Sequence, residues 1–211
     1  KTLFPYTTLF RSGHFIFDVP INGALSQVLL ATLLFIAASL TDTLDGYIAR
    51  PDGAVDWLQA IEATGDDHGY EQFYQGIDGL LMGRATYDMV RGFGSAWPYA
   101  GKPCRVLARN PLQQPPADVQ GRHCTPSDAL EELAERGCQR VWLVGGGSLA
   151  GNCLAAGLLD ELLVSVIPHL LGAGVPLFAG GLEQRLSLQA HRLFPSGVAQ
   201  LHYRVLRDSA D

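Results

Sequence analysis

The sequence predicts an α/β fold: a three-layer, mostly parallel central sheet with helices on both faces, finished by a C-terminal antiparallel β-hairpin. Three observations predict it. Short apolar runs alternate with helical patterns along the chain, as in a parallel sheet covered on both faces. One buried run, Val141 to Val144, opens into three glycines and then a helix from Ser148 to Ala156. Leu186 to Phe194 and Gln200 to Leu206 alternate around Pro195-Ser196-Gly197, the pattern of a hairpin.

The elements follow in order. Leu33 to Ala38 reads as the first strand, within the apolar run Val28 to Leu40. That run is shorter than the ~20 residues a spanning helix needs, so a buried strand is preferred to a membrane anchor. Leu44-Asp45-Gly46 and Pro51-Asp52-Gly53 are turn signals around a short extended piece, Tyr47 to Ala49. Asp66 to Ile77 carries Tyr70, Phe73, Tyr74 and Ile77 at i, i+3, i+4 and i+7, which predicts a helix. Gly79 to Met82 is a short buried strand, and Gly83-Arg84-Ala85-Thr86 opens a helix to about Val90. Cys104 to Ala108 is an apolar strand, and Leu112 to Gln120 a loop rich in Pro and Gln. His123 and Cys124 close another short strand. Thr125 caps and Pro126 starts a helix that ends near Gly137. Glu161 to Ile167 is a strand that Pro168 stops.

The 211 residues suit one domain, and 47% apolar with 17% charged residues is an ordinary globular composition. A net charge of −6 and the lack of a Lys/Arg cluster argue against a nucleic-acid binder. Cys104, Cys124, Cys138 and Cys153 form no CxxC pair and no zinc-type cluster. They read as reduced thiols of a cytoplasmic protein, and no metal is expected. Thr2 to Ser12 (TLFPYTTLFRS) matches the translation of a common sequencing-library adapter. Residues 1–12 are therefore expected to be an assembly artefact within a non-native or disordered leader, 1–28. The folded domain is expected over 29–207, and 208–211 as a tail.

Three segments carry candidate chemistry. In Val144-Gly145-Gly146-Gly147-Ser148, successive glycines let a backbone approach a pyrophosphate, and the helix N–H groups behind them favour the anion. Ser148 could cap that helix or touch phosphate. The same glycines also serve a tight strand–helix turn with no ligand. In Gly83-Arg84-Ala85-Thr86, the guanidinium and hydroxyl could grip a phosphate, or simply be a solvated arginine and a helix cap. Arg109 follows a strand and could meet a 2′-phosphate, or could simply be solvated. In open parallel sheets, ligands bind beyond the carboxyl ends of the strands, where all three features fall. Trp57 and Trp97 read either as walls of a substrate cleft or as core.

Phe35-Ile36-Ala37-Ala38-Ser39, Leu44-Asp45-Gly46-Tyr47-Ile48-Ala49, Asp56-Trp57-Leu58 and Met82-Gly83-Arg84-Ala85-Thr86-Tyr87 occur in that order. Leu143-Val144-Gly145-Gly146-Gly147-Ser148, Leu159-Asp160-Glu161-Leu162 and Pro168-His169-Leu170-Leu171-Gly172-Ala173-Gly174 follow. The set resembles the dihydrofolate-reductase-like family that includes the C-terminal reductase domain of bacterial riboflavin-biosynthesis deaminase–reductases, and most of all its small stand-alone members. The likeness covers roughly residues 29–207.

The resemblance implies an NADPH-dependent reductase of a small heterocyclic (pteridine- or ribosylamino-pyrimidinone-like) or imine-like substrate. It implies that Ala37, Ala38, Ile48 and Ala49 flank the nicotinamide, and that Gly83, Arg84 and Thr86 hold the adenosine-side phosphates. It places Arg109 near the 2′-phosphate, and Gly145, Gly146, Gly147 and Ser148 on the pyrophosphate with Leu149 behind. Asp45 and Glu161 would face the substrate and complete proton transfer. A homodimer is implied, with no nucleic-acid or membrane partner.

The chain departs from the family in one place. Leu40-Thr41-Asp42 and Thr43-Leu44-Asp45 look like a small duplication, in what is expected to be the loop over the nicotinamide. Asp66, Asp67 and Glu71 are candidates for a substrate-protonating carboxylate on the first helix. The alternative function is a non-catalytic dinucleotide-binding sensor of the same fold. A nucleotide-phosphate transferase is disfavoured by the missing P-loop lysine.

Overall fold

The computed structural model describes residues 41–92, 96–178 and 183–207. Four strands form a wholly parallel sheet: β3 (Gly79–Gly83), β4 (Cys104–Leu107), β5 (Val119–Arg122) and β6 (Val141–Gly145), in spatial order β5-β4-β3-β6. A second, mixed sheet runs β1-β7-β10-β9, from β1 (Thr41–Thr43), β7 (Glu161–Ile167), β10 (Ala199–Val205) and β9 (Leu186–Leu193). A two-stranded ribbon joins β2 (Tyr47–Ala49) to β8 (Val175–Pro176). The fold class is the expected one, with the parallel pairing concentrated in the first sheet and in the β1–β7 pair.

Layering follows from strand alternation. Leu80, Met82, Val106 and Trp142 face one side, packed with Tyr70 of α2 (Tyr70–Gln75) and Tyr87 and Val90 of α3 (Arg84–Gly92). Leu81 faces the other, packed with Ala129 of α4 (Pro126–Glu135) and Leu149 and Cys153 of α5 (Gly147–Ala155). The mixed sheet has its own clusters. Trp57, Leu58 and Ile61, from the 3-10 turn Asp56–Leu58 and the short helix α1 (Gln59–Glu62), pack on Ile167, Phe194 and Val198. Trp57 is thus core, and Trp97 stands edge-on to Tyr99 beside Trp142.

Three expectations shift. The first strand expected at Leu33 to Ala38, with Ala37 and Ala38, lies outside the described residues. The middle of the doubled stretch is strand and not loop: Thr41, Asp42 and Thr43 pair in parallel with Ser165, Val166 and Ile167, and Leu44 and Asp45 turn after them. β-Branched threonines favour extended backbone, and β7 offers an open edge to pair with. The helix expected from Asp66 starts only at Tyr70. Asp66 and Asp67 accept from the backbone N–H groups of His68 and Gly69 at 2.8 and 2.9 Å, and both of those residues take positive φ. Local side-chain bonds to the backbone hold the chain in a turn there instead of a helix. Asp66 and Asp67, two of the three carboxylates considered for proton delivery, are therefore occupied with their own turn.

Other expectations hold closely. Thr125 and Asp128 form a reciprocal capping box with Pro126 at the first turn of α4. The hairpin β9–β10 closes through Phe194 and Val198, with Gly197 at φ 86°. The four cysteines are free. Burial pushes the thiol of Cys104 up to about 12 and that of Cys153 up to about 11, so both stay protonated at neutral pH.

Candidate active site

β3, β4, β5 and β6 are parallel, so their carboxyl ends meet at one edge. A cavity of about 720 Å³ opens there. Gly83, Arg84 and Thr86 line it from the β3–α3 junction, and Val144 to Leu149 line it from the β6–α5 junction. Ile48 and Ala49 of β2 with Val175 to Leu177 of β8 line the far side. Of the residues singled out for cofactor binding, Ile48, Ala49, Gly83, Arg84, Thr86, Gly145, Gly146, Gly147, Ser148 and Leu149 are brought together here.

The local geometry explains the glycines. Gly145 and Gly146 sit at φ 144° and 99°, conformations that residues with a Cβ rarely adopt. They reverse the chain at the strand end, where the β3–β6 register skips Val144: Leu81 pairs Leu143 and Met82 pairs Gly145. Gly147 is a glycine for a different reason, close approach to the backbone of β8. Gly146, the N-cap of α5, makes no side-chain capping bond, and the first helical bond is Ala150 N–H to Gly146 C=O at 2.9 Å. The N–H groups of 147 to 149 precede that bond in the first turn, where a helix leaves its donors without intrahelical partners. This junction fits a pyrophosphate.

Arg84 is held by Asp88, one turn along α3, with Nε 2.8 and 2.7 Å from the two carboxylate oxygens. Arg109 does not line the main cavity. It lines an adjoining one of about 590 Å³, together with Arg84, Asp88, Ala108 and Asn110. Arg84 borders both spaces, so the two form one path along the carboxyl edge.

The two acids expected to act on substrate lie apart. Asp45 follows β1 and accepts hydrogen bonds from the N–H groups of Leu171 and Gly172, at 3.3 and 2.6 Å. It ties the turn before β2 to the loop after β7. Glu161 opens β7, six residues before its end, and its carboxylate is 3.2 Å from His202 Nε2. At ~3.3 Å per residue that is roughly 20 Å from the end where Asp45 sits. Neither carboxylate is among the described residues lining the cavity.

Three features were missed in the sequence. Cys124 and Pro126 line the cavity at the end of β5. Arg105, in the middle of β4, is only 2% exposed and gives Nε to Glu132 at 2.7 Å. Arg122 reaches the same carboxylate at 2.8 Å, and the two guanidinium groups hold Glu132 below the usual carboxylate range. A charge inside the apolar run Cys104 to Ala108 was the available signal. Arg50, next to cavity-lining Ala49, binds Asp56 through Nε at 2.7 Å and through its NH2 at 3.3 Å. That hydrogen bond holds the Asp56 carboxyl below its usual range.

The RibD C-terminal domain model matches residues 34–200. The chain belongs to this family. YwjB of Bacillus subtilis (strain 168), an uncharacterized protein, is 35% identical over 173 residues, covering 82% of this chain and 96% of its own. The riboflavin biosynthesis protein RibD of Corynebacterium ammoniagenes is 24% identical over 164 residues, which are 72% of this chain and 48% of that protein. Among solved structures, a protein of Shewanella sp. PV-4 assigned to riboflavin biosynthesis superposes with TM-score 0.71 and 31% identity, over 79% of this chain and 96% of that one. The deaminase/5-amino-6-(5-phosphoribosylamino)uracil reductase of Thermotoga maritima shares the fold, with TM-score 0.58 and 15% identity over 79% of this chain and 55% of that one.

A second model, CDP-alcohol phosphatidyltransferase, matches residues 7–56. That is about a quarter of the chain, mostly outside the described residues. The two matches overlap at 34–56, which contains the doubled stretch before Asp45. No helix among the described residues is long and apolar enough to cross a membrane.

Proposed function

We propose that this chain is an NADPH-dependent reductase of a small heterocyclic, pteridine- or ribosylamino-pyrimidinone-like, or imine-like compound. The observation that carries the reading is the convergence of two strand–helix junctions on one cavity, with Arg84 and Arg109 along its edge. When bound, NADPH supplies the hydride. The chain supplies grip, orientation and exclusion of water. The first-turn N–H groups of α5, with Gly145 to Ser148, hold the pyrophosphate. Arg84 and Thr86 hold the adenosine-side phosphate, and Arg109 takes the 2′-phosphate in the adjoining space. Ile48 and Ala49 form the wall for the nicotinamide.

Proton delivery falls to Asp45 or to a water it orients, since Asp45 follows the carboxyl end of β1 and Glu161 opens β7 at the other end. One observation favours the rival sensor: the Asp45 carboxylate already accepts two backbone hydrogen bonds. A homodimer through the sheet edge is part of the proposal, supported by Leu188 and Leu193 standing exposed on edge strand β9.

Fluorescence titration with NADPH and NADH, followed by cofactor oxidation with dihydrofolate and 5-amino-6-(5-phosphoribosylamino)uracil, tests the reading. Tight NADPH binding with turnover on either compound supports it. Failure to bind either nucleotide ends it. Binding with no turnover on any heterocycle tried turns the assignment to the sensor.

A further inference from the structure

The adjoining cavity at the carboxyl edge has a carboxylate in its wall. Among the described residues lining it, Arg84, Asp88 and Arg109 are the charged ones. Arg84 also borders the main cavity, whereas Asp88 and Arg109 do not. The Arg84 Nε–H donates to both Asp88 oxygens, at 2.8 and 2.7 Å. Both partners belong to α3, one turn apart, so the helix itself brings them together.

The pair does little for the helix that carries it. Arg84 is the first residue of α3, where the helix dipole disfavours a cation. A cation four residues before a carboxylate is also the weaker of the two orders for such a pair. The two side chains are 42% and 52% exposed, and an exposed ion pair adds little to stability. What the Asp88 carboxylate does change is the charge that a ligand meets. It offsets one of the two guanidinium groups that line the adjoining space.

We infer that Asp88 is a specificity-determining residue, one that holds down the preference for a nucleotide carrying a 2′-phosphate. The inference rests on the reading of the adjoining space as the 2′-phosphate site. NADH places no anion in that space, so Asp88 does not repel it there. NADPH gains Arg109 there, and its phosphate faces the Asp88 carboxylate as well. The natural chain therefore favours NADPH by less than it would with a neutral residue at this position. Any other charge nearby acts equally on the natural chain and on a variant at position 88, so the difference between them reports Asp88.

The test is fluorescence titration of the full chain with NADPH and NADH, read as the ratio of the two dissociation constants. Asp88→Asn removes the charge and keeps an amide oxygen to accept from the Arg84 Nε–H. It is expected to shift the ratio about fivefold toward NADPH, the effect of one partly screened charge. Asp88→Ala, which lacks the acceptor, should shift the ratio the same way, and it carries the test if Asp88→Asn does not fold. If the natural chain binds neither nucleotide, the reductase reading falls and takes the inference with it. If both bind and the ratio moves less than about twofold, or moves toward NADH, the inference falls and the reductase reading stands.

Discussion

Gly147 lies so close to Pro176 that a Cβ on the glycine would stand 2.7 Å from the Pro176 carbonyl oxygen, and 3.2 Å from that of Leu177. Both obstacles are backbone, so neither can rotate away. The start of α5, which presents its N–H groups at the cavity, is thus held against β8 by the absence of a side chain. Gly147→Ala is expected to cost about 1–3 kcal/mol, the usual range for overpacking. It should also weaken NADPH binding, because the first turn of α5 must move. Urea unfolding and nucleotide titration of the same sample check both effects. Unchanged stability would show that β8 yields freely.

Arg109 and Arg84 make different predictions because their surroundings differ. Arg84 is neutralised by Asp88 and touches both cavities, whereas Arg109 lines only the adjoining one. Arg109→Ala is expected to weaken NADPH binding about tenfold, the loss of one charge-assisted contact, and to leave NADH binding within about twofold. Arg84→Ala should weaken both nucleotides. The readout is the ratio of the two dissociation constants in each variant. Equal loss of NADPH and NADH in Arg109→Ala would remove it from the 2′-phosphate.

Arg105 makes a stability prediction unconnected with the cofactor. Its guanidinium is buried inside β4, and Glu132 is the acid that meets it. Glu132→Ala would leave that charge uncompensated in the layer between β4 and α4. Losing one partner of a wholly buried pair costs ~3–5 kcal/mol. Glu132 is a third exposed, so about 2–3 kcal/mol is expected, read as a lower urea midpoint. The double variant Arg105→Met with Glu132→Ala should recover most of the loss.

The overlap of two family models at residues 34–56 carries an expectation about the DNA. The doubled stretch Leu40 to Asp45 lies inside it, and Thr2 to Ser12 reads as an adapter. Residues before Leu44 are expected to come from a different sequence, joined within the overlap. Amplification across this segment from source genomic DNA should give a frame that diverges from the present one upstream of residue 44. A continuous genomic frame encoding residues 1–50 as they stand would sink the expectation.

How far the sequence could be read depended on the kind of interaction involved. The strand–glycine–helix junction at Val141 to Ala155 was legible because its elements are local and its glycines answer to backbone angles. The capping box at Thr125 and Asp128 was legible for the same reason. The start of α2 was misread because the i, i+3, i+4 apolar pattern of Tyr70 to Ile77 says nothing about Asp66 and Asp67 folding back on their own backbone. The placement of Asp45 and Glu161 was beyond sequence reasoning: both sit beside apolar strands, and only the parallel β1–β7 register puts them at opposite ends. The Arg50–Asp56 pair was hidden because a turn residue and a helix-start residue look independent until Gly53 closes the turn between them.

His68 links the Asp66–Gly69 turn to the hairpin. The residue is fully buried at φ 48°, with Nε2 2.9 Å from Ser196 Oγ and its ring 4.8 Å from that of Phe194. Burial holds the imidazole below its ordinary value of ~6.5, Arg192 pushes the same way, and Asp66 and Asp67 oppose less strongly. The folded state therefore keeps His68 neutral where the unfolded chain would already bind a proton. That contribution is fully present above pH ~6.5 and is lost as pH falls below it. The urea midpoint is expected to drop between pH 7.5 and 5.5, and to drop less in His68→Asn, which cannot titrate. Measuring both proteins at both values isolates the histidine from the carboxylates. An equal drop in the two proteins would remove His68 as the cause.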